Sequence, residues 1–442
     1  MGLLIHVGAF KGTSALSRLP VDATVLAALI VLVLAVVVFA KDPSRSLHVV
    51  WPLLALWAVF LIGVPFVGST TYAHQKVVLL FTLSAGIALI SAFASDRPGF
   101  LSGLLWSQVA AGTLMAALLK LYGSHGDVDA RLLLDGSNSI GAARVVGAAI
   151  VILVFLAFTS KLRLLVHGAV VLGLSAVLLD IGSRGPILFA ALSALVAARL
   201  ARWSRVRQPL RPGLVVLLVG GALFAILLHV QSPRLPLARV MLPLTEDLSA
   251  DQSIGARLSL IEVSFSLIAR HPFGVGLGNF APFARAEGLP VYLRHSYPHN
   301  VLLEAGVEAG IAGMVTLVLV FGRALRGLRT MSRTAPWAAS FALGLYFVGN
   351  ALVSGDLTSN RPMWCFVGLG VGCWVQSSQA LEQATPTLPQ GARDLSRAPW
   401  LSARWHSVDG LGNACANRAV EITHPGARHG GRGRLRPDEP QT

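Results

Sequence analysis

The sequence predicts an all-α, polytopic membrane protein, and three of its properties lead there. Hydrophobic residues make up 54% of the 442 and charged residues only 13%, with a mean hydropathy of +0.67. A soluble domain carries roughly a quarter charged residues, so this chain lacks the charge to cover a water-facing surface. The apolar residues also fall in continuous runs, several of them near the roughly 20 residues that cross about 30 Å of hydrocarbon. Continuous runs read as helices, whereas barrel strands would alternate. Finally, positive charge recurs in alternate loops between these runs.

Taken in order, the candidate spans are residues 21–40, 47–67, 76–94, 99–122, 140–160, 163–181, 186–200, 213–230, 301–322, 337–354 and 362–377. That is about eleven, or twelve with a short extra helix before residue 21. The run 21–40 reads as a span and not as a cleaved signal peptide. It is too long for a signal core, and no small-residue cleavage site follows it. Basic residues gather at Lys41 and Arg45, Arg97, Lys161 and Arg163, then Arg199 to Arg211, then Arg323 to Arg333. All fall on one side of these spans, which the positive-inside rule assigns to the cytoplasm. The net charge of +15 therefore reads as orientation and lipid contact, and not as a nucleic-acid surface. The same parity places the N-terminus, with Lys11 and Arg18, outside. A twelve-span topology with both ends inside is the alternative.

This divides the chain into a transmembrane domain over 1–378, with a large periplasmic loop at 231–300, and a tail over 379–442. The tail is rich in Pro, Gly, Arg and Ser, a composition that reads as disordered and cytoplasmic. Cys365, Cys373 and Cys415 form no disulfide framework. The first two are eight residues apart, about 12 Å along a helix axis, which is too far to bridge. No internal repeat and no phosphate-loop pattern is present.

The segment from Arg257 to Gly313 interrupts the apolar pattern and carries His271, His295 and His299. Ionisable groups crowded between spans are expensive to keep there and mark a site by default. Four constellations on the outer side stand out. Arg131 and Asn138 share one loop. Asp180-Ile-Gly-Ser-Arg184-Gly-Pro makes a tight polar turn, where glycine lets a ligand approach the backbone. Arg257, Arg270 and His271 lie on an amphipathic stretch with Leu258, Ile261, Val263, Phe265, Leu267 and Ile268 on its apolar positions, expected to lie against the membrane. The run Gly274-Val-Gly-Leu-Gly-Asn then breaks it as a re-entrant turn; no strand precedes it, so it is no dinucleotide fingerprint. Last, Pro298-His299-Asn300 opens a helix that carries Glu304 and Glu308. Here free N–H groups and a positive dipole end face the outer surface. The two glutamates share a helix face, so pairing of one with an arginine is expected.

These motifs in this order resemble the bacterial O-antigen ligase and O-antigen polymerase superfamily, integral-membrane glycosyltransferases of the type C fold. The resemblance rests on Arg131…Asn138, Ser183-Arg184-Gly185, Arg257…His271-Pro272, Gly274-Val-Gly276-Leu-Gly278-Asn279-Phe280, and Pro298-His299-Asn300 followed by Glu304 and Gly310-Ile-Ala-Gly313. It covers roughly residues 70–375. The His-Asn pair, nine residues and Gly-x-x-Gly resemble the ligase branch in particular.

The resemblance implies transfer of a glycan from undecaprenyl pyrophosphate to an acceptor hydroxyl of lipid A–core, on the periplasmic face of the bacterial inner membrane. It implies no cofactor, no nucleotide and no metal. Arg184, Arg257 and Arg131 would then hold the pyrophosphate and the charge that develops as it leaves. His299 would be the general base, Glu304 a second catalytic group, and Asn300, Asn138 and His271 supporting residues. A polymerase joining repeat units of O-antigen or exopolysaccharide is the alternative within the superfamily, and an oligosaccharyltransferase acting on protein hydroxyls is related. A lipid-linked sugar transporter or flippase is the alternative from another class. Transporters often show inverted repeats and broken helices, and neither is visible in the sequence.

Overall fold

A computed structural model describes residues 1–2, 4–10, 22–41, 43–125, 132–134, 138–158, 161–203, 252–289 and 297–384. Arg131, His295, the span expected at 213–230, the first part of the loop expected at 231–300 and most of the tail lie outside the described residues. The chain divides into two compact units, Met1–Gln379 and Ala380–Thr442; the architecture below is that of the first.

The described residues are almost entirely helical, and eight helices are long and apolar enough to cross a membrane. In chain order the helices are α1 (Ala23–Lys41), α2 (Pro43–Ile62), α3 (Thr71–Leu79), α4 (Ala85–Phe93), α5 (Pro98–Tyr122), α6 (Ser139–Ala157), α7 (Lys161–Ile181), α8 (Arg184–Trp203), α9 (Gln252–Arg270), α10 (Phe280–Ala286), α11 (Val301–Met331), α12 (Ala335–Val353) and α13 (Arg361–Ala384). α3 and α4 join through a π-helical turn at Leu80–Ser84 and together form one span. The apolar part of α7, Leu165–Ile181, is shorter than the other spans.

Local sequence sets the helix starts. Thr70 Oγ1 accepts from Ala73 N at 3.1 Å ahead of α3, and Asn138 Oδ1 accepts from Ile140 N at 2.9 Å ahead of α6. Each satisfies a donor that a helix N-terminus leaves without an intrahelical partner. A two-residue antiparallel ladder pairs Ser124 with Leu133 and His125 with Leu132 between α5 and α6.

α6 is the most enclosed of the eight spans and packs on α5, α7, α8 and α12. Its small residues Ala142, Ala143, Gly147, Ala148 and Ala149 let neighbouring backbones come close, the usual basis of helix packing in a bilayer. α1 lies at the other extreme, with Leu29 59% and Val36 60% exposed, an apolar face suited to lipid. Near the N-terminus, buried His6 donates through Nε2 to Gln108 Oε1 at 2.5 Å and ties Leu4–His6 to α5. Burial pushes its imidazole down to about 4, so it is neutral.

α11 is broken inside the span. Gly310 sits at φ 73°, ψ −175°, and the loop after α9 fills the gap. Val275 N donates to Val307 O at 2.8 Å, Gly276 N to Glu308 O at 3.0 Å, and Ile311 N to Pro272 O at 2.9 Å. Irregular backbone at membrane depth survives only where protein or a lined cavity satisfies its polar groups, and here a second loop does so. A Cβ on Gly310 would lie 2.5 Å from Pro272 O, and one on Gly276 (φ 90°) would lie 2.2 Å from Phe66 O. Glycine is therefore required at both positions, by left-handed backbone and by close approach. The re-entrant glycine turn thus exists, but the helix break that receives it is a feature the sequence reading lacked.

Candidate functional site

α11 begins at the strongest backbone anomaly of the described chain. His299 has φ 60° and is the one residue other than glycine in the left-handed region among the described residues. Histidine is among the residue types that tolerate this region, and such outliers cluster at functional positions. Asn300 follows as N-cap, its Oδ1 accepting from Leu302 N at 2.9 Å and Leu303 N at 3.2 Å. The cap fixes where the helix starts, and so where the half-buried imidazole of His299 stands.

An aromatic relay leads from this imidazole. The Tyr297 ring lies 4.4 Å from that of His299, and the Tyr72 ring stacks on Tyr297 at 6.3 Å. Tyr72 OH then donates to Asp356 Oδ2 at 3.1 Å. Burial, with the carboxylates of Asp356 and Glu304 nearby, pushes the Tyr297 phenol above its ordinary value, so it stays protonated. Asp356 sits in the turn between α12 and α13. It accepts from Ser359 N at 2.6 Å and from Thr358 Oγ1 at 3.1 Å. Burial pushes its carboxyl up, but the Lys76 charge and these hydrogen bonds prevail and hold it below the ordinary carboxylate range.

Beneath the relay lies an ion cluster with no solvent exposure. Lys76 Nζ of α3 donates to Glu304 Oε1 and lies 2.6 Å from the Glu308 carboxylate, while Glu304 Oε2 accepts from Leu357 N at 2.9 Å. The expected glutamate pairing is therefore with a lysine and not with an arginine. Lys76 ties both turns of the His299 end of α11 to α3, and Glu304 ties that end to the Asp356 turn. One side chain of Glu304 thus spends both oxygens on fixed partners.

The arginines approach the same region from two other helices. Arg257, half-buried on α9, is close enough to Arg144 of α6 for their charges to interact, and Arg144 interacts likewise with Asp356. Arg184 opens α8 after a turn at Gly182 (φ 66°). A Cβ on the next residue, Gly185, would lie 3.1 Å from Val353 Cγ2 at the end of α12, just before the Asp356 turn.

The remaining expected residues lie apart or in other roles. His271 Nε2 meets Glu287 Oε1 at 2.5 Å and packs edge-on against Phe283, while Arg270 takes the other oxygen of Glu287 at 2.7 Å. The His271 and Arg270 contacts hold the Glu287 carboxyl below its ordinary value. Asn138 is an exposed helix cap. α9 buries Leu260, Val263, Leu267 and Ile268 against Leu303 and Val307, and leaves Leu258 and Phe265 exposed. It therefore packs on α11 with one stripe and does not present all six expected apolar positions to the membrane. Among the described residues no group of three or more His, Cys, Asp or Glu is arranged to hold a metal ion.

Sequence reasoning missed Lys76, Tyr72, Tyr297, Arg144 and Asp356. Two of these had a usable signal, since Arg144 is an ionisable residue inside an apolar run and Lys76 stands at the edge of one.

A family model described as O-Antigen ligase matches residues 168–318, from within α7 through the first half of α11. No curated protein matches the chain. The matched segment contains Arg184, Arg257, His271, His299, Asn300 and Glu304, and the match supports an O-antigen ligase- or polymerase-like function. Over residues 168–318, this multi-pass helical membrane protein is thus similar to the O-antigen ligase family.

Proposed function

We propose that this protein is an O-antigen ligase-type glycosyltransferase. It moves a glycan from undecaprenyl pyrophosphate to a hydroxyl of lipid A–core on the periplasmic side of the inner membrane, without metal or cofactor. The observation that carries the reading is His299, held in left-handed backbone at the mouth of a span beside Tyr297, with buried acidic and basic groups ranged behind it.

In this reading His299 accepts the proton of the acceptor hydroxyl as that oxygen attacks the anomeric carbon. The bond from that carbon to the pyrophosphate oxygen breaks, and its electrons leave with the pyrophosphate. Arg184 and Arg257, with Arg131 from the outer loop, bind that anion by charge-assisted hydrogen bonds. Asn300 fixes the imidazole through the helix start. Glu304 acts as a positioning residue, because both its oxygens are engaged by Lys76 and Leu357 N. Asn138 and His271 support the loops on either side.

A helix broken within a span also occurs in transporters, where freed carbonyls coordinate ions. Here Val307 O and Glu308 O are taken by Val275 N and Gly276 N, which favours the enzyme.

The test is transfer in vitro from lipid-linked donor to purified acceptor. Wild type should turn over in EDTA, and should lose rate on acidification as the base protonates. Arg257→Ala should lose donor affinity. Near-normal turnover by His299→Ala, or inhibition by EDTA, would defeat the mechanism. In a deletion strain, loss of the lipopolysaccharide ladder with accumulation of lipid-linked polymer identifies a ligase, and core bearing a single repeat unit identifies a polymerase.

A further inference from the structure

Arg144 is the most unusual cation of the described bundle. It lies on α6, five residues past the helix start, or about 8 Å into the span at 1.5 Å per residue. It is 8% exposed. One terminal nitrogen of its guanidinium donates to Asn350 O at 3.1 Å and to Ser354 O at 2.8 Å, at the C-terminal end of α12. Its Nε has no hydrogen-bond partner, and neither has Asn350 Oδ1 nor Ser354 Oγ alongside. A buried donor without a partner is costly, so each such group in a folded protein calls for an explanation.

Capping α12 explains the two carbonyl contacts but not the rest. Asp356 is near enough to attract the Arg144 charge, and Arg257 brings a second guanidinium near enough to repel it, more weakly. Two guanidinium groups brought close together raise the positive potential that an anion would meet there. The Arg184–Gly185 turn also packs on α12 where Arg144 is pinned, with Asn350 Oδ1 3.9 Å from the position of a Gly185 Cβ. Helices α6, α8 and α9 thus each bring an arginine toward the end of α12.

We infer that Arg144 is a phosphate-binding residue of the donor site, supplying from α6 a guanidinium that meets the same pyrophosphate as Arg257 and Arg184. This rests on the reading above that the donor is a lipid pyrophosphate. The α12 carbonyls hold the guanidinium plane in place before the substrate arrives, so little rotamer entropy remains to be lost on binding. Nε–H is then directed to a phosphoryl oxygen, and the anion offsets the repulsion between Arg144 and Arg257.

The experiment measures inorganic pyrophosphate binding to the full-length protein in nanodiscs, as the rise in melting temperature with pyrophosphate concentration. Wild type should be stabilised by pyrophosphate. Arg144→Gln should weaken apparent affinity by about 10- to 100-fold, the range expected when a charge-assisted hydrogen bond is lost. Arg144→Lys keeps the charge and can still reach a carbonyl, so it serves if the glutamine variant does not fold. It too should bind several-fold more weakly, because a point charge cannot reproduce the guanidinium fork. If either variant binds pyrophosphate as wild type does while melting lower without ligand, Arg144 is only a cap and the inference falls. If wild type itself is not stabilised by pyrophosphate, the donor reading falls together with it.

Discussion

Lys76 and Glu304, 228 residues apart in the sequence, form a salt bridge with no solvent exposure, and the same lysine holds Glu308. The pair joins α3 to the helix that begins beside His299. Removing one partner of a buried pair leaves an uncompensated charge, at a cost of about 3–5 kcal/mol. Lys76→Met should therefore be poorly expressed or melt many degrees lower. Adding Glu304→Gln and Glu308→Gln to it should recover much of that loss. A triple variant less stable than Lys76→Met, measured by thermal melting in detergent, would show that the cluster does not work through charge balance.

His299 offers a way to separate backbone from chemistry. Asparagine also tolerates φ near 60°, whereas a β-branched residue does not. His299→Asn should fold and insert as wild type does but lose about two to four orders of magnitude in transfer, the usual size of a general-base contribution. His299→Val should also lose stability. Equal melting temperatures for the valine and asparagine variants would mean that the left-handed backbone is not held in solution.

The neutral, buried His6 makes stability depend on pH. Its folded value of about 4 lies below its ordinary 6.5, so between these the unfolded chain binds a proton that the folded chain does not. Stability should be undiminished above about pH 6.5 and fall as pH drops toward 4, by up to about 1.4 kcal/mol per pH unit. His6→Gln should flatten that slope in melting curves taken between pH 7 and pH 4.5. An unchanged slope would assign the acid sensitivity to other groups.

Gly276 and Gly310 should not accept alanine. Each has positive φ, and each would place a Cβ within about 2.5 Å of a main-chain oxygen, Phe66 O or Pro272 O. Backbone strain alone costs of order 1–3 kcal/mol, and the collision adds to it. Gly103, whose Cβ would meet nothing within 4 Å, is the control, and Gly103→Ala should melt as wild type does. Comparable yields for all three variants would contradict the stitched break.

Ala286 is exposed at the end of α10, and its side of the membrane decides the proposed topology. Ala286→Cys should react with an impermeant thiol reagent in intact spheroplasts while Cys415 stays unlabelled. Cys365 and Cys373 are buried and should not interfere. The opposite labelling would place the proposed donor site on the cytoplasmic side.

Much of the helical plan was legible because a bilayer imposes a length and a composition on each span. Residues 99–122 were read from hydropathy alone and are found at Gly99–Tyr122. The start at Pro298-His299-Asn300 was legible too, because an N-cap is a local signal. What stayed hidden is what depends on distant pairing. Nothing near Lys76 shows that its partners stand more than 220 residues away. Asp356 carries no local signal of its place, which is set by the distant Tyr72 together with Ser359. The break at Gly310 was hidden because an isolated glycine inside a helical pattern is tolerated and does not by itself signal a break.

That break also has a mechanical meaning. A continuous helix transmits a tilt along its whole length, but the stretch from Val301 to Ala309 is bonded sideways, to the glycine loop, to Lys76 and to Leu357. A tilt of that stretch is therefore coupled to those neighbours rather than to the remainder of α11.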